Sequence, residues 1–242
     1  MKASANSSPK GAPLARRVLR AAARLFSSSA YRESLRMRFL RPKGAFQPFN
    51  QTAKDRYPVI FGFVRDTLGA DRDVRLLSFG CSTGEEVYAL RRYFPHAFVK
   101  GIDINAGNIA ACNRMLRRHP DASAAFEQAS STQAEASQTY DAIFCMAVMK
   151  DGRLARSGVA RCDHLIRFED FARVVEDFHR CLKPEGLLVI RHSNFRLCDA
   201  PVGAKFETIL SRELNGAPPI FGPDNRLMPG AQYPDMVFRR VS

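Results

Sequence analysis

At 242 residues, 45% hydrophobic and 25% charged, the chain is long enough to bury a core and suits one α/β domain with extensions. Its formal charge is +13, but residues 1–56 hold 13 Lys/Arg against Glu33 and Asp55, a net +11, which leaves residues 57–242 at +2. Six cysteines without a close CxxC pair or Cys/His cluster argue against a metal site and for a reducing cytoplasm, and no apolar run approaches the ~20 residues of a membrane span.

Residues 1–13, rich in Ala, Ser, Gly, Pro and Lys, read as disordered. Leu14 to Phe26 reads as a short helix with Leu14, Val18, Leu25 and Phe26 on one side, flanked by arginines. It docks either on the core or on an anionic surface such as RNA, an acidic protein or lipid. The first 32 residues are also Arg- and Ser-rich and lack acids, in the manner of organellar transit peptides. The linker RPKGAFQPFN (Arg41 to Asn50) leads to a helix over Thr52 to Gly69 whose regular part follows Pro58.

From Val74 short apolar strands alternate with amphipathic helices, the pattern of a parallel sheet with crossovers. Strands are expected at 74–79, 98–103, 124–127, 140–146 and 186–192, and helices at 84–94, 106–118 and 167–182. Ile109, Cys112, Met115 and Leu116 form the buried stripe of the second helix, and Phe168, Phe171, Val174, Val175, Phe178 and Leu182 that of the third. Lys183-Pro184-Glu185-Gly186 should stop that helix and turn into the next strand. Phe206 to Ser211 and Met236 to Val241 suit a closing strand pair. The longest connection, residues 147–166, lies beyond the fourth strand, where open α/β sheets form their ligand crevice, so it is expected to be functional.

The organising stretch is LLSFGCSTGEEVYAL (Leu76 to Leu90) with FVKGIDIN (Phe98 to Asn105). Gly80, Cys81, Ser82, Thr83 and Gly84 offer little side-chain bulk, so a ligand can approach the backbone. Glu85 and Glu86 suit a helix N-terminus. Asp103 lies about 20 residues past the turn, well placed to accept from ribose hydroxyls.

This spacing resembles the first motif of class I S-adenosylmethionine (SAM) methyltransferases, with Ser78 in place of the leading acid and Ser82 in place of the middle glycine. CSTGEE followed by Tyr88 and Ala89 is similar to the turn of chemotaxis-receptor methyltransferases. IFCMAVM (Ile143 to Met149) and LKPEGLLVIRHSN (Leu182 to Asn194) resemble the fourth and fifth strands of that family, so the likeness spans roughly Val74 to Asn194. The family's β-subdomain is absent, because only residues 104–123 separate the second and third strands. Met146-Ala147 also replaces its Arg-Asn.

The resemblance implies a Rossmann-like, mostly parallel α/β sheet with a reversed last strand, behind a basic helical N-terminal extension. It implies residues 57–242 as the methyltransferase domain and residues 1–56 as arm, linker and lid. SAM is the implied cofactor, held by Gly80, Cys81, Ser82, Gly84, Glu86, Asp103, Ile104, Ala129, Ser130 and Met146. Phe46, Phe49 and Tyr57 are candidate lid residues or simple core packing. For acceptor chemistry His192 and His164 are the candidate bases, with Asp163, Ser193 and Asn194 beside them, since a histidine near neutral pKa can take a proton from oxygen or nitrogen. The acceptor is unidentified, a small molecule being favoured. The rival readings are a protein carboxyl (glutamate) methyltransferase, an RNA methyltransferase using the basic arm, and a non-catalytic SAM-binding protein.

Overall fold

The computed structural model describes residue 46 and residues 56–69, 71–156, 158–212 and 218–241. Seven strands form one sheet: β1 (Arg75–Phe79), β2 (Phe98–Asp103), β3 (Ala124–Gln128), β4 (Tyr140–Met146), β5 (Leu182–Arg191), β6 (Phe206–Ser211) and β7 (Asp235–Arg240). Among the described residues four α-helices accompany them: α1 (Pro58–Leu68), α2 (Glu85–Tyr93), α3 (Ala106–Arg118) and α4 (Phe168–Cys181).

The strand order is β3-β2-β1-β4-β5-β7-β6. Every neighbouring pair from β3 to β5 is parallel, and β7 runs antiparallel to both β5 and β6. This is the expected Rossmann-like methyltransferase sheet with one reversed strand. The order reverses between β1 and β4, so the crevice opens at their C-terminal ends.

Alternation along each strand sends side chains to opposite faces, and both faces are covered. Leu77, Phe79, Ile143, Cys145, Leu188 and Ile190 join one core with Phe171, Val175 and Phe178 of α4. Leu76, Phe144 and Val189 join the other with Phe61 and Val64 of α1 and with Val87 and Leu90 of α2. Phe79 meets Phe178 edge to face at 4.9 Å, and Phe61 meets Phe144 likewise at 5.6 Å.

The differences from the sequence reading have local causes. Helix α1 starts at Pro58, where a missing N–H is harmless, which agrees with the expected regular part, and residues 52–55 lie outside the described residues. Met115 is 40% exposed, so the stripe of α3 runs instead through Asn108, Ile109 and Cys112. Strand β5 begins at Leu182, because Glu185 takes φ 60° and the register with β4 jumps from Tyr140↔Leu182 to Ala142↔Leu187. The Pro-Glu-Gly stretch is thus a bulge within a strand. The expected helix over 14–26, the disordered leader and Phe49 lie outside the described residues. Among those residues, no helix is long and apolar enough to cross a membrane.

Candidate functional site

The turn after β1 is pinned from beneath. Gly80 N and Cys81 N both donate to Ile102 O at the end of β2, at 2.8 and 3.0 Å. Gly80, Ser82 and Gly84 have φ of 75°, 51° and 95°, so three alternate residues of the turn lie in the left-handed region. Gly80 is compulsory for a further reason. A Cβ built there would lie 2.4 Å from Val148 Cγ2, so the open space expected over this glycine is filled by the residue two beyond β4.

Asp103 is buried and already engaged. Its Oδ2 accepts from Ser82 N at 2.8 Å, and its Oδ1 accepts from Asn105 N at 2.8 Å and Asn108 Nδ2 at 3.3 Å. Burial pushes its carboxyl up, against the lowering effect of these three donors. A carboxylate has about four lone-pair sites, so a ribose hydroxyl would find little more than the remaining one on Oδ2. Asp103 ties the β1 turn to the start of α3, a structural duty the glycine-to-acid spacing did not reveal.

Glu86, in the first turn of α2, points back under the sheet. Ser78 Oγ donates to its Oε1 at 2.7 Å, and Ser78 is fully buried in β1. Burial pushes the Glu86 carboxyl up to about 8, against the lowering effects of Ser78 and Arg56. The serine at the position where the resemblance has an acid is therefore matched by an acid delivered from α2. Ser82 Oγ in the turn and Tyr57 Oη, on which the Glu86 charge acts, are buried without a hydrogen-bond partner. The Cys81 thiol lies against Cys112, and that contact and burial push it well up, so it is an inert wall of the turn.

The remaining cofactor candidates are spread around the same edge. Ala129 N donates to Asp103 O at 3.1 Å, which brings the segment after β3 to the end of β2. Ile104 is half-buried and its carbonyl accepts from Gln128 Nε2, whereas Ser130 is exposed. Met146 is buried in the core on the α1 side. Phe46 is buried in the α4-side core. Tyr57, before α1, sets its ring 6.3 Å from that of His192 and edge-on to Phe61 at 6.2 Å.

His192 follows β5 at φ 56°, and Ala147 follows β4 at φ 59°, with Ala147 N donating to Arg191 O at 2.7 Å. Left-handed non-glycine residues thus sit at the ends of both strands, and such strain gathers where a site imposes it. His192 is not near neutral pKa as expected. Burial, Arg191, Lys150 and Arg56 together bring it down to about 4. It is neutral at physiological pH and a weak base as it stands.

His164 belongs elsewhere. It is exposed on a segment held by Cys162 N to Asn225 O and Leu227 N to Ala160 O, and its charge acts on Asp163, which pairs with Arg161. Asn194 and Ser193 are structural. Asn194, fully buried, receives Asp151 N on Oδ1 and gives Nδ2 to Pro219 O, and Ser193 Oγ accepts from Phe195 N. The long 147–166 connection is accordingly packed against the residues after β5 at its start and against the 225–227 turn further on. Sequence reasoning missed Asn108, Arg191 and Lys150, and it read Val148 as lining the cofactor or simply packing, where the structure sets it over Gly80. A cation ending an otherwise buried strand, as Arg191 does, was the available signal for one of them.

A family model described as a methyltransferase domain matches residues 70–215. Solved structures similar to this chain include the YcgJ protein from Bacillus subtilis, at 16% identity and TM-score 0.41, over 55% of this chain and 50% of that one. A geranyl diphosphate C-methyltransferase from Streptomyces coelicolor A3(2) matches at 20% identity and TM-score 0.40, over 55% of this chain and 44% of that one. Phosphoethanolamine N-methyltransferase 2 from Haemonchus contortus matches at 14% identity and TM-score 0.44, over 69% of this chain and 34% of that one. The match thus spans half or less of each of these chains. No curated protein matches.

Proposed function

The chain belongs to the methyltransferase domain family, and from that premise we propose that residues 57–242 transfer a methyl group from SAM to a small-molecule acceptor. The observation that carries the cofactor assignment is the turn from β1 into α2, which holds the buried Glu86 carboxyl bonded to Ser78 Oγ and the buried, unpartnered Ser82 Oγ, with the unpartnered Tyr57 Oη within reach of the Glu86 charge. Buried polar atoms without partners are uncommon and suit a ligand that supplies them. In this reading Glu86 takes the amino group of SAM, Ser82 Oγ and the Gly80–Gly84 turn take its amino-acid end, and the free lone pair of Asp103 takes a ribose hydroxyl. Ile104 and Ala129 flank the adenine. When bound, SAM supplies an activated methyl group, and the residues of the chain contribute alignment, exclusion of water and a proton acceptor where one is needed.

The Glu86 assignment has a pH signature. A carboxyl raised from 4.5 to about 8 is protonated in the folded protein over a window where the unfolded chain is ionised. The folded state then binds more protons, so stability falls as pH rises from 4.5 to 8. An ammonium group placed beside Glu86 should drive its proton off. Calorimetry of SAM binding at pH 7 in two buffers of different ionisation enthalpy should therefore show release of most of one proton. Glu86→Gln should abolish that release; an unchanged proton count in a folded Glu86→Gln would remove Glu86 from the cofactor site.

A second reading, methyl-ester formation on a carboxylate, is favoured by the low basicity of His192, because an ionised carboxylate needs no general base. The CSTGEE turn supports it through its resemblance. Labelled methyl transfer from SAM into an extract, with products separated by class, separates the two. A small-molecule O- or N-methyl product should keep its label in mild alkali and slow about 100-fold in His192→Ala. An ester should release labelled methanol and tolerate that substitution. Tight SAM binding with no labelled product in any fraction would leave the non-catalytic reading in place.

A further inference from the structure

Asp103 ends β2, and its acceptor sites can be counted. A carboxylate offers about four lone pairs, shared equally between its oxygens. Oδ1 receives Asn105 N at 2.8 Å and Asn108 Nδ2 at 3.3 Å, which fills it. Oδ2 receives Ser82 N at 2.8 Å. No further donor reaches Oδ2 among the described residues, so a single lone pair stays open there.

The donors on Oδ1 are fixed by the start of α3. Asn105 is the N-cap of that helix. Its carbonyl accepts from Asn108 N and Ile109 N, and its side chain accepts from Asn108 N at 3.1 Å. A ligand hydroxyl that took Oδ1 from Asn105 N would strand a buried backbone donor, at a cost comparable to the bond it gained. Asn108 is fully buried, which leaves its amide no water to turn to. Ser82 N is held likewise by its turn, whose Gly80 N and Cys81 N are tied to Ile102 O.

We infer that the site reads the ribose of its cofactor at one hydroxyl and leaves the neighbouring hydroxyl unread, so that an S-adenosyl ligand lacking the second binds nearly as well as one carrying both. The inference rests on the SAM reading above and specifies what Asp103 selects in that ligand. A ribose offers two adjacent hydroxyls, and a carboxylate open on both oxygens can accept the pair together. Asp103 is closed on one oxygen by the helix that follows it. The unspent polar groups lie toward the amino-acid end in that reading, where Glu86 accepts a bond from Ser78 Oγ alone and Ser82 Oγ and Tyr57 Oη have none. Ligands altered only at the ribose therefore keep most of their contacts and bind measurably.

Calorimetry on the full chain provides the test, with S-adenosylhomocysteine and its 2′-deoxy and 3′-deoxy analogues as the probes. S-adenosylhomocysteine that fails to bind rejects the cofactor reading itself; the comparison of the analogues with it tests the inference. One analogue should bind about tenfold or more weakly, the loss of a hydrogen bond to a charged group, and the other within about threefold of the parent ligand. Asp103→Asn then assigns the loss through a thermodynamic cycle, since in that variant the sensitive analogue and the parent ligand should bind within about threefold of each other. The comparison in the unaltered chain decides by itself if the variant does not fold. A tenfold loss for both analogues, or for neither, overturns the inference. So does a sensitive analogue whose full loss persists in folded Asp103→Asn.

Discussion

Asp103→Ala should destabilise the fold by about 3 kcal/mol or more, because each buried donor left unpaired costs about 1–3 kcal/mol. The substitution strands Ser82 N and Asn105 N and takes one acceptor from Asn108 Nδ2, in a residue only 8% exposed. Two of these donors are backbone groups that no side-chain rearrangement replaces. Asp103→Asn keeps one acceptor oxygen but turns an amide toward a donor, so it should lose roughly half as much. Urea denaturation should show a lower midpoint with an unchanged slope for both. SAM affinity is then read in the folded Asn variant, which separates any ribose contact from the structural duty. A loss below about 1 kcal/mol in Asp103→Ala would show that the turn does not depend on this carboxylate.

Gly80→Ala should lose about 2–4 kcal/mol, from two separable sources. A φ of 75° is strained by about 1–2 kcal/mol for an L-residue. The new methyl also meets Val148 Cγ2 at 2.4 Å, and overpacking of this kind costs about 1–3 kcal/mol. Adding Val148→Ala should recover the second part and leave the first. The double-mutant cycle should accordingly show a favourable coupling of about 1 kcal/mol or more. Additive losses would mean that Val148 moves aside freely, and the strain would then reside in the backbone alone. The same cycle measured for SAM binding asks whether Val148 must withdraw from Gly80 for the cofactor to enter.

The periodic parts of the molecule were legible because they depend on near neighbours in the chain. The boundaries of β2, α3, β4 and β6 follow from alternation of 2 and 3.6 residues, and the connection lengths make the sheet parallel until its reversed last strand. The turn of small residues and the acid at the end of β2 marked the right edge of the sheet. Sequence reasoning erred where a local signal met a long-range partner. Met115 had the right spacing for a buried stripe, but among the described residues that side of α3 is left 40% exposed at Met115. Glu185 sat among helix stoppers, yet pairing with β4 drew the stretch into a bulged strand.

The site divided in the same way. Residue types and spacing alone determined that the chain has an α/β sheet with a turn of small residues after its first strand, and that most of its net charge lies in residues 1–56. Only the tertiary structure decided what each polar group faces. It set Ser78 against Glu86, three donors against Asp103, Val148 against Gly80, and Lys150 and Arg56 around the Arg191–His192 strand end. The physical reason is that pattern records which side of an element is apolar, through interactions a few residues long. Burial and the field at a carboxylate or an imidazole are instead sums over groups that meet only when β1, β4 and β5 are laid side by side.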